Sequence, residues 1–120
     1  MPAVNAGTTM LDPATTPRFP NREMRYTFAP PSPLEGAHGG ELRAALDELH
    51  AAFAGAPLAV DFEGCPHCFM HGVLAIPTEH WTQRRVAAVR AVLQALLVDA
   101  CARDDEYRAE SVETLQAAVP

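Results

Sequence analysis

Leu42, Leu46, Leu49 and Phe53 recur at intervals of three and four residues through ELRAALDELHAAFAG, with alanine filling most positions between them. That period predicts an amphipathic helix, and Gly55 followed by Pro57 predicts its stop. The pattern then changes period. Leu58, Val60 and Phe62 alternate with small or polar residues, as a half-buried strand requires. GVLAIP, bracketed by Gly72 and Pro77 and holding Val73 and Ile76, reads as its hairpin partner. Residues 79–103 carry the longest helical stripe, Val86, Val89, Leu93, Leu96, Leu97 and Ala100, entered through Pro77 with Thr78 as the expected N-cap. Asp99 precedes Arg103 by four residues, the favoured order for a helical ion pair. The run Asp104, Asp105, Glu106 opposes a helix C-terminus and suits a helix start, so a break there and a last helix through Val112, Leu115 and Val119 are predicted.

The first forty residues read differently. They hold seven of the eleven prolines, which remove backbone donors, together with four of the seven glycines, which raise the entropy cost of ordering. Residues 1–40 are therefore expected to be a flexible Pro/Gly-rich tail, with a possible short strand over 24–28, where Met24, Tyr26 and Phe28 alternate with polar residues. Arg18, Arg22 and Arg25 make that stretch locally basic, so it suits a docking peptide, an edge strand, or a tail lying on its own acidic domain. Residues 41–120 are expected to form one compact domain. The fold class that results is mainly α with a short β-hairpin: a small helical domain bearing a Cys/His knuckle.

Composition narrows the partners. With 120 residues, 48% hydrophobic and 20% charged, one soluble core is the expectation. The net charge of −6 disfavours nonspecific contact with nucleic acid or an anionic membrane. All nine basic residues are arginine, which with abundant alanine and a single isoleucine, Ile76, reads as coding bias rather than phosphate recognition. The N-terminal stretch MPAVNAGTTMLDPATTPRF lacks the basic start and apolar core of an export signal, so a cytosolic chain is expected. Three cysteines in a reducing compartment leave metal ligation, redox chemistry or burial.

The chemistry concentrates in DFEGCPHCFMHG, residues 61–72. Cys65, Cys68 and His71 follow C-x2-C-x2-H, two soft thiolates and an imidazole within seven residues, which is the donor set that Zn²⁺ prefers. Cys101, His67 or a second subunit are possible donors of the fourth ligand, but His80, expected just beyond the hairpin, is the best placed. Cys101, four residues after Leu97, is expected at the edge of the apolar stripe as a small hydrophobe. His38 and His50 are expected to be solvated. Asp61 and Glu63 flank the cluster as turn residues or as acceptors for a ligating histidine.

Cys65-Pro66-His67-Cys68 also resembles the C-P-H-C site of bacterial periplasmic disulfide oxidases, members of the thioredoxin superfamily, and Val60-Asp61-Phe62 resembles the strand that leads into it. The likeness spans about nine residues. It implies Cys65 as the attacking thiol, Cys68 as the resolving one and His67 as the group stabilising the thiolate. Only Glu63 and Gly64 stand between strand and cysteine, and Gly72, Val73 and Ile76 make a poor helix where that fold needs one.

No nucleophile elbow, zinc-protease motif or phosphate-binding glycine loop occurs, and serine is present only at positions 32 and 111. The resulting expectation is a small zinc-binding accessory or regulatory protein with Cys65, Cys68, His71 and His80 around Zn²⁺. It would act on a protein partner or on a second copy, because the stripe over 86–100 is wider than one short neighbouring helix covers. Thiol–disulfide exchange at Cys65 and Cys68 is the alternative.

Overall fold

The computed structural model describes residues 23–63 and 72–120. They form strand β1 (Glu23–Phe28), helix α1 (Gly39–Ala52), strands β2 (Ala59–Asp61) and β3 (Gly72–Pro77), and helices α2 (Gln83–Ala102) and α3 (Glu106–Ala118). The expected hairpin is β2 paired antiparallel with β3, with Ala59, Val60 and Asp61 opposite Ala75, Leu74 and Val73. The sheet has a third strand: β1 pairs antiparallel along the other edge of β3, giving the order β1-β3-β2.

Strand period explains the layering. Met24, Tyr26 and Phe28 are buried while Arg25 and Thr27 are exposed, and the register sets Met24 opposite Ile76, Tyr26 opposite Leu74 and Phe28 opposite Gly72. The same face of β2 presents Val60, and its neighbours Ala59 and Asp61 are exposed. Gly72 is required at the Phe28 crossing. A Cβ there would stand 2.6 Å from Phe28 Cζ and 2.3 Å from the Asp61 carbonyl oxygen.

The helices cover the inner face. Leu42, Leu46, Leu49 and Phe53 are all buried, as their spacing predicts, and α1 ends before Gly55 at φ 82°. Along α2, Val89, Val92, Leu93 and Leu96 are buried in one cluster with side chains of β1, β3, α1 and α3, and Ala100 is buried as well. Each large apolar side chain so enclosed contributes roughly 1.5–3 kcal/mol. Val86 and Leu97 of the α2 stripe are partly buried against that cluster, and Tyr107, 80% accessible, is the exposed large hydrophobic residue among the described ones.

One helix boundary differs from expectation and another matches it. The α2 N-cap is Thr82, whose Oγ1 accepts from the Arg85 amide at 3.1 Å, and Thr78 is a buried residue of the preceding turn. The cause is Trp81: the turn at His80, φ 57°, precedes the buried indole, and the helix starts only after it. The break between α2 and α3 falls at the acidic run, with Asp104 at φ 54° and Asp105 Oδ1 accepting from the Arg108 amide at 3.0 Å.

Residues 29–38, within the stretch that composition assigns to a tail, form a strap from β1 to α1. It contains a cis Pro30–Pro31 bond and a 3-10 turn, Pro33–Glu35, capped by Ser32 Oγ. Three helices against a small antiparallel sheet satisfy the broad expectation of a mainly helical domain with a hairpin. The Cys/His knuckle, like residues 1–22, lies outside the described residues.

Candidate functional site

Cys65, His67, Cys68 and His71 lie outside the described residues, but both ends of the segment carrying them are defined. Asp61 is paired with Val73, so the chain leaves β2 and enters β3 on neighbouring strands. Asp61 Oδ1 accepts from the Glu63 amide at 3.2 Å, the turn role expected of these acidic residues. Phe62, 3% accessible, packs edge-on against Phe28 with ring centroids 5.1 Å apart, which anchors the departing chain to the core.

His80 stands at the opposite end of β3. Gly72 adjoins His71, whereas His80 follows Pro77, and five strand steps separate Gly72 from Pro77 by roughly 17 Å. The His80 side chain is exposed, and its carbonyl accepts from Arg85 Nη1 at 3.2 Å. Arg85 also donates from Nε to the Ala52 carbonyl at 3.0 Å and lies 4.7 Å over the Phe53 ring, so it closes the C-terminus of α1 against the start of α2. Nearby, the buried Trp81 Nε1 has no hydrogen-bond partner among the described residues.

Cys101 is exposed on the last turn of α2 rather than folded into the apolar stripe. It lines an open depression of about 260 Å³ with Ala100, Asp104, Asp105, Glu106 and Ala109. His50 is exposed, and His38, at the N-cap of α1, is 3.9 Å from Glu41.

The most highly connected polar cluster is one that sequence spacing reveals only in part. The Asp99–Arg103 pair is present, with Arg103 Nε 3.0 Å from both carboxylate oxygens. Its larger function is to grip the strap: Arg103 Nη2 donates to the Ser32 carbonyl at 2.9 Å. Arg108 Nη2 donates to the carbonyls of Ala29 and Pro31, the latter at 2.7 Å. Arg108 Nε is 3.3 Å from Asp105 Oδ2, and its Nη1, 3.8 Å from Asp99 Oδ2, is buried without a hydrogen bond among the described residues. Prolines at 30, 31 and 33 have no N–H, so the strap offers these helices mainly carbonyl acceptors, which match guanidinium donors. Burying Asp99 and Arg108 costs desolvation that the charge-assisted hydrogen bonds offset. Nearly every polar group is consumed internally, so the cluster fixes strap and helix corner together.

Tyr26 shares this environment. Burial pushes its hydroxyl up to about 12, with Asp99 and Asp105 raising it further and Arg108 opposing them. On the surface, Arg84 binds Glu48 through Nε at 3.1 Å and Nη2 at 3.0 Å, which holds the Glu48 carboxyl below its usual range and raises Arg84.

Among the described residues, no group of three or more His, Cys, Asp or Glu side chains converges as a cation site. No helix there is long and apolar enough to cross a membrane. No protein-family model, curated protein or solved structure matches the chain.

Proposed function

We propose that this chain is a zinc-binding accessory or regulatory protein of the cytoplasm that acts by engaging another protein. Cys65, Cys68 and His71 supply three ligands through C-x2-C-x2-H, and a donor from the partner or from a second copy supplies the fourth. The observation that carries this reading is the pairing of Asp61 with Val73. Both ends of the ligand-bearing segment are held on adjacent strands about 5 Å apart, so the chain entropy lost in closing a metal loop falls largely on folding of the sheet. His80 is a poorer fourth donor than the sequence suggests, because β3 carries it away from the Gly72 end.

Thiol exchange has less support. Gly72, Val73 and Ile76, which follow the cysteines where thioredoxin-like sites need a helix, belong instead to strand β3. The sheet, moreover, is antiparallel throughout.

The test is metal analysis of protein purified without chelator. About one zinc per chain is expected, lost on Cys65→Ser or Cys68→Ser together with a lower melting temperature, since a structural Zn²⁺ contributes on the order of 10 kcal/mol to folding. Zinc-free protein of unchanged stability overturns the proposal. Insulin-reducing activity in that zinc-free protein would favour exchange instead.

A further inference from the structure

We draw no further inference here: the strongest candidate, the acid-rimmed depression between the end of α2 and the start of α3 lined by Ala100, Cys101, Asp104, Asp105, Glu106 and Ala109, rests on an acidic cluster and a lone cysteine with no second observation that points to a ligand.

Discussion

The guanidinium carbon of Arg108 lies 5.6 Å from the centre of the Phe28 ring, while its Nη2 reaches the carbonyls of Ala29 and Pro31 immediately downstream of that ring. One side chain of α3 thus holds the end of β1 and the start of the strap. Replacing it by methionine keeps much of the packing and removes every donor. We expect Arg108→Met to cost about 3 kcal/mol in urea unfolding, because the strap carbonyls and Asp105 then lose a buried partner. Arg108→Lys should recover less than half of that loss, since an ammonium cannot serve two carbonyls and lie flat over the ring. Stability unchanged in the methionine variant would show that the cluster is energetically neutral.

Gly72 offers a purely steric test. A Cβ at this position meets the Asp61 carbonyl and the Phe28 ring at distances that real side chains do not tolerate. Gly72→Ala must therefore spread β2 from β3 or push Phe28 out of the core, and a loss of about 2–3 kcal/mol is expected. Gly40→Ala, at an exposed helical position with open space around it, is the control and should raise stability slightly. A thermal melt of both variants separates a local clash from a general intolerance of substitution.

These two sites show where sequence reasoning reaches and where it stops. The stripes of α1 and α2 and the alternation of Val60 and Phe62 are local patterns, and the acidic run announces its own helix start. The strand at 23–28 is equally periodic, but its partner lies about fifty residues downstream and its flanking prolines weigh toward a tail, so its place in the sheet is not readable locally. Arg108 is one helical arginine among several until the fold brings Ala29 and Pro31 to it across almost eighty residues. Thr78 and Thr82 are comparable caps by residue type; burial of Trp81 decides between them. His80 follows Pro77, at the end of β3 away from Gly72, a separation that the short sequence interval does not reveal.

That last point yields a metal prediction. His71 adjoins the Gly72 end of β3 and His80 lies beyond Pro77, so the two imidazoles should affect zinc unequally. His71→Ala is expected to weaken zinc retention at least tenfold in a competition assay with a chromogenic chelator, and His80→Ala to leave it within twofold. Equal losses from both variants would restore His80 as a ligand and require the segment between β2 and β3 to fold back along the sheet. Gel filtration with light scattering, with and without zinc, reads the fourth-ligand proposal independently: a donor from a second copy predicts dimers only when metal is present.

Tyr26 gives the alkaline behaviour of the fold. Its hydroxyl titrates near 12 in the folded protein against an ordinary value of about 10, because burial opposes the phenolate. A folded-state value above the unfolded one means that the unfolded chain releases this proton first as pH rises. The stabilisation is thus complete below about pH 10 and is lost progressively between about pH 10 and pH 12. Urea midpoints measured across that window should fall more steeply for the natural chain than for Tyr26→Phe, which has no proton to release and keeps the ring between β1 and the helices. Tyrosinate absorbance at 295 nm supplies the second readout: the variant should lack the late-titrating component. If the two proteins instead lose stability in parallel, the steepness comes from the general charge imbalance of the chain, and not from the buried phenol.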